Sequence, residues 1–161
     1  MSRFGVETLL FAVLVLGSVE VLAQAPKAYG PPIGVESAKK VAAVAVAEAR
    51  KNNWTMAVAV VDPSGTLVYY EKMDNTQNGS AKVAIDKART AALFKRPSKA
   101  FQDMVTGGGA GLRILGLPDA IPLEGGVPLV VEDKIVGAIG VSGDTSDHDG
   151  VCALAAAESL K

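Results

Sequence analysis

Met56-Ala57-Val58-Ala59-Val60-Val61-Asp62-Pro63-Ser64-Gly65-Thr66-Leu67-Val68-Tyr69-Tyr70-Glu71-Lys72 decides the fold class of this 161-residue chain. Its two flanks are rich in β-branched and aromatic residues, which suit a pleated, half-buried surface. Between them Asp62-Pro63-Ser64-Gly65 has the residue order of a type I turn: Asp first, Pro second with φ already set, Gly fourth. The segment is predicted as an antiparallel hairpin.

On both sides of the hairpin the apolar period changes from two to 3.6. Upstream, Ala38, Val41, Ala42, Ala45, Val46 and Ala49 share one stripe, with Lys39, Lys40, Glu48, Arg50 and Lys51 elsewhere, so a helix is expected to end near Asn52-Asn53. Downstream, a polar loop leads to Ser80, expected to cap a second helix whose Ala81, Ala84, Ile85, Ala88, Ala91 and Ala92 face inward. Lys82, Asp86, Lys87, Arg89 and Thr90 lie off that stripe. Pro97 stops this helix, and Ser98 is expected to cap a short third one to about Val105. A second strand pair follows, 127–131 and 135–142, turning at Asp133, with Gly137 and Gly140 in its last strand. A helix over 151–160 closes the chain. The order α-β-β-α-α-β-β-α implies an α+β fold with an antiparallel sheet flanked by helices.

The ends of the chain divide simply. Arg3, the apolar run 9–16 and Val21-Leu22-Ala23 predict a cleaved export signal over 1–23, hence a periplasmic or secreted protein. Glu7 and Glu20 bracket a stretch shorter than the about 20 apolar residues of a spanning helix, so no stable membrane anchor is expected after cleavage. Residues 24–34, with Pro26, Pro31 and Pro32, form an extended lead-in, and 35–161 a single domain.

Composition narrows the chemistry. A single cysteine, Cys152, excludes an internal disulfide framework, and a single histidine, His148, excludes a His-rich metal cage. A net charge of −1 gives no electrostatic case for nucleic acid. Gly107-Gly108-Gly109-Ala110-Gly111 follows a helix and lacks a Gly-Lys-Ser/Thr ending, so it is a linker or a loop at a pocket mouth rather than a P-loop. Gly125-Gly126 either presents backbone N–H groups to a carboxylate or makes a tight strand entry. His148 stands between Asp147 and Asp149, either of which could orient its imidazole, and Asp144 or Ser146 is a natural helix cap. Lys87 and Arg89 could pair with acidic ligand groups, or simply keep a helix face solvated.

Six segments in order extend this reading: Ser37-Ala38-Lys39-Lys40; Val61-Asp62-Pro63-Ser64-Gly65; Lys72-Met73-Asp74; Lys87-Ala88-Arg89-Thr90-Ala91-Ala92; Gly125-Gly126-Val127-Pro128-Leu129; and Val136-Gly137-Ala138-Ile139-Gly140-Val141-Ser142-Gly143. With these the chain resembles the GlcG/HbpS-like haem-binding family, the domain of unknown function 336. The resemblance implies a profilin-like α/β sandwich, a homo-oligomer, and ligand pockets near subunit interfaces. Asp74, Lys87, Thr90, Gly125, Gly126 and Asp149 fall on places that recur in the family. Lys72 stands where Arg is usual, Asp144 where a second Gly is frequent, and His148-Asp149-Gly150 where Gln-Asp-Glu is common.

The function expected from sequence is binding of haem or another tetrapyrrole for capture, buffering or sensing. The polar ends of the two hairpins would form the cleft, with the macrocycle against the glycine-bearing last strand. Lys87 or Arg89 would meet the propionates, and His148 the iron, with Tyr70 or Met73 as other possible ligands. Thr90, Asp74, Gly125 and Gly126 complete the expected site. The alternative is a small lyase or isomerase acting on an organic acid, with His148 and Asp147 or Asp149 as acid/base and the Gly125-Gly126 amides holding an oxyanion. A third reading is an interaction module without a ligand.

Overall fold

Five consecutive buried residues form the strand β2 (Ala57–Val61), and its alternation explains the layers around it. In this computed structural model, which describes residues 26–160, Val58 and Val60 face one core while Ala57, Ala59 and Val61 face the other. Side chains two apart share a face of a strand, so branched and small residues sort onto opposite sides. The valine face meets α1 (Val35–Lys51) and α4 (Ser146–Glu158); the alanine face meets α2 (Ser80–Phe94). The predicted signal, 1–23, lies outside the described residues.

The central strand is β5 (Lys134–Ser142). It pairs antiparallel with β2 along one edge and with β4 (Gly126–Val131) along the other, and β3 (Leu67–Lys72) pairs with β2. The expected hairpin is present: the Asp62 carboxylate accepts the N–H groups of Ser64 and Thr66 and the Ser64 hydroxyl. Next to the turn the strands shift register between Val60 and Val61, a bulge-like irregularity. All six stripe residues of α1 are buried, as expected.

The structure corrects several boundaries. The lead-in is not merely extended: Ala28–Tyr29 forms β1, paired parallel with Lys134 and Ile135 of β5, so the sheet is not wholly antiparallel. Glycines 107–111 lead from α3 (Lys99–Thr106) into a 3₁₀ helix, Gly109–Gly116, rather than remaining a loop. Neither Ser80 nor Ser98 caps its helix; the Ser80 hydroxyl is buried against that of Ser142. The last helix starts at Ser146, not 151, and its cap is Thr145, whose hydroxyl accepts the His148 N–H.

The glycines of β5 do not form an open wall. A side chain at Gly140 would strike the main chain of Ala84 and Ala88 on α2, and one at Gly137 would strike Val61 and Ile33. Those positions are bare because protein backbone occupies the space, which removes them as a surface for a macrocycle. Among the described residues no helix is long and apolar enough to cross a membrane.

Candidate functional site

Antiparallel register brings the open ends of both hairpins to one end of the sheet. Ala57 is opposite Lys72 on one side and Ser142 on the other, and Gly126 is opposite Gly140. The turn at residues 62–66 lies at the far end. The sequence-predicted residues divide among three places along this axis.

His148 stands at the open end. Thr145 fixes its backbone, and Asp144 Oδ1 lies 3.0 Å from its Nδ1. Its ring stacks on the Trp54 indole with centroids 3.9 Å apart and planes 13° apart. A carboxylate facing Nδ1 holds the proton there and leaves the Nε2 lone pair free, with ring rotation blocked by the indole. The side chain remains 40% exposed. Donation from the Thr145 N–H, then from His148, holds the Asp144 carboxyl below the usual carboxylate range. The orienting acid is therefore Asp144, four residues earlier and just ahead of the helix cap, not Asp147 or Asp149. Trp54 was not anticipated; the only signal was its being the single tryptophan, placed between a helix end and a strand.

Lys87 and Asp149 form the second place, and both are buried, with side chains 1% and 3% exposed. Lys87 Nζ donates to Asp149 Oδ2 at 2.6 Å and to the Val141 carbonyl at 3.2 Å. Burial drives the lysine below its ordinary value and the aspartate above its own, against their mutual attraction. Lys87 is thus not a solvated helix charge, and its amine is not presented to a propionate. The strand entry 123–126 lies over the pair. Ser98 Oγ clamps it, donating to the Leu123 carbonyl at 2.6 Å and accepting the Gly126 N–H at 2.8 Å. That bond occupies the Gly126 N–H, so the predicted oxyanion role of Gly125-Gly126 fails at Gly126. Gly125, with φ +124°, has no room for a side chain: a Cβ would sit 2.9 Å from Asp149 Cβ and 3.0 Å from Lys87 Nζ. Outside this strap a cleft of about 130 Å³ is lined by Pro97, Lys99, Glu124, Val127, Leu154 and the glycines 125, 126 and 150.

Arg89 and Thr90 make the third place, toward the hairpin turn. Arg89 Nε donates to the Gly65 carbonyl at 3.1 Å. Thr90 is buried, donating to the Asp86 carbonyl and accepting the Ile121 N–H. Beside them lies a polar cleft of about 310 Å³ lined by Lys82, Asp86, Arg89, Asp119, Ala120 and Ile121. Lys87 and Arg89, two residues apart on α2, therefore point to different surroundings, and the structure does not bring Arg89 to His148. Asp74 is exposed in the loop after β3, near the open end. The Met73 sulfur accepts the Met56 N–H at 3.4 Å, and burial raises the Tyr70 phenol above its ordinary value. Cys152 is buried, and its thiol is pushed up to about 12 by burial first.

For a haem, the donor available at the surface would be the part-exposed imidazole of His148, whereas the β5 glycines leave no slot between sheet and helix. The cleft at the strap is too small for a macrocycle, and the β5 glycines are covered.

Comparison with known proteins agrees with this architecture. Protein GlcG of Escherichia coli (strain K12) is 41% identical over 107 residues, covering 66% of this chain and 78% of its own. A crystal structure of a double mutant of Streptomyces reticuli HbpS superposes with a TM-score of 0.75 at 28% identity, covering 94% of this chain and 99% of the other. The structure of a PduOC–heme complex superposes at 0.72 with 23% identity, over 81% and 96% of the two chains, which shows a shared fold. The family model described as "Haem degrading protein HbpS-like" matches residues 33–158, and the chain belongs to that family.

Proposed function

We infer that this is an exported protein that binds haem or a related tetrapyrrole for capture, buffering or sensing, with His148 as the axial ligand. One observation carries the reading: in a chain of the HbpS-like family, the single imidazole is held by Asp144 and Trp54 and its side chain stays 40% exposed. The heme complex of a protein with the same fold supports it. Haem, when bound, would supply an iron centre able to take a protein ligand, here the His148 imidazole. Asp144 orients the imidazole and keeps its proton on Nδ1, and Trp54 offers an apolar face beside it. Lys87, buried against Asp149, and Arg89, bound to the Gly65 carbonyl at the hairpin-turn end, do not serve the propionates there. Residues 1–23 direct export and are cleaved, and the folded chain assembles as a homo-oligomer.

Titration of the signal-free protein with hemin tests the reading. A saturable Soret shift at stoichiometric ligand is expected, and its absence excludes haem. His148→Ala is expected to change the Soret and visible bands; an unaltered spectrum removes His148 as the ligand while leaving haem binding in place.

A further inference from the structure

The Lys87–Asp149 pair plays no part in the haem reading, and its surroundings are those of a shielded reactive amine. A buried ion pair is a poor source of stability, because removing two charges from water cancels most of their attraction. This one is also under-partnered: an ammonium has three N–H donors, and Nζ meets two acceptors, Asp149 Oδ2 and the Val141 carbonyl. Two acceptors satisfy a neutral amine, which keeps a lone pair. The barrier between this amine and solvent is one residue thick. Gly125 stands against Nζ on its inner side and lines the 130 Å³ cleft on its outer side. Gly126 and Gly150 continue that wall without side chains. Lys99, half exposed and paired with Asp103 at 2.9 Å and Glu124 at 3.4 Å, stands at the rim, where a ligand carboxylate would displace one of these partners, and Pro97, Val127 and Leu154 supply an apolar lining.

We propose that Lys87 is a carbonyl-capturing lysine, forming an imine with a small 2-oxo acid that enters between the strap 123–126 and α4. Asp149 takes a proton from the Lys87 ammonium, and the freed Nζ lone pair adds to the carbonyl carbon. The carbinolamine then loses its oxygen as water, the proton held by Asp149 being returned to it. The net change joins ammonium and carbonyl into a protonated C=N bond with release of one water. The Lys99 ammonium holds the acid's carboxylate. Ser98, which ties the strap at Leu123 and Gly126, governs access to the amine.

Reductive trapping decides the matter. The signal-free protein is incubated with pyruvate and sodium cyanoborohydride at neutral pH, and modified lysines are located by peptide mass spectrometry. Lys87 is expected to be labelled at least about tenfold faster than Lys72, Lys82 or Lys99. Propanal, which has no carboxylate, is expected to lose that preference. Ser98→Ala is expected to speed labelling of Lys87 by loosening the strap, and Asp149→Asn to slow it. Labelling confined to exposed lysines overturns the proposal, provided the same peptide is labelled after unfolding in urea. Equal labelling by pyruvate and propanal overturns the oxo-acid assignment. Neither outcome depends on whether hemin binds.

Discussion

At the scale of single residues, the placement of Lys87 is the largest departure from sequence expectation. Periodicity puts it off the alanine stripe of its helix; the structure instead buries it, with Thr90, on the face that carries Ala84 and Ala91, while Ala81 and Ile85, expected inward, are only half-buried. What periodicity could not supply is that the strap 123–126 covers this face from 36 residues further along the chain. Asp149 was legible as an acid beside a histidine, but its partner is remote in sequence. The pair makes a sharp prediction. Asp149→Ala leaves a buried, uncompensated ammonium and is expected to cost about 3–5 kcal/mol in urea-unfolding experiments. The apolar double replacement Lys87→Met with Asp149→Leu is expected to recover most of that loss. A single-site cost below about 1 kcal/mol would mean that water reaches the pair.

Among the elements, those with local signals were read well and those made by distant contacts were not. The 57–72 hairpin carries its turn chemistry in four adjacent residues, and α1 carries its burial pattern in its own period. The two-residue strand β1 has no such signal: it exists because β5 offers it an edge beyond the end of β2. The hairpin turn also has a definite dependence on pH. Burial acts to raise the Asp62 carboxyl, but hydrogen bonds from the Ser64 hydroxyl and the Thr66, Ser64 and Gly65 N–H groups outweigh it and hold the group below its ordinary value. A depressed native carboxyl stabilises above its unfolded value, about 4, and that contribution is lost as pH falls through the depressed value. Asp62→Ala is expected to lower stability by about 1 kcal/mol at neutral pH. The gap should close on acidification, as seen in melting curves from neutral pH downward. A gap independent of pH would assign the effect to chain entropy instead.

For the molecule as a whole, the layered sandwich leaves large apolar side chains outside the core. Leu112 and Leu115 are 50% and 65% exposed. Burying them against further copies accounts for the proposed homo-oligomer. The signal-free protein is expected to elute from size exclusion as a multimer, and Leu112→Glu with Leu115→Glu to shift it toward monomer. A monomeric wild type at micromolar concentration would remove assembly from the reading. The stacked pair at the open end has one more consequence. Because the chain's only indole lies flat against its only imidazole, its ultraviolet emission reports on whatever happens to that ring. A proton or a metal arriving at Nε2 alters the quenching, and the protein thereby carries its own optical gauge of occupancy, with no dye attached.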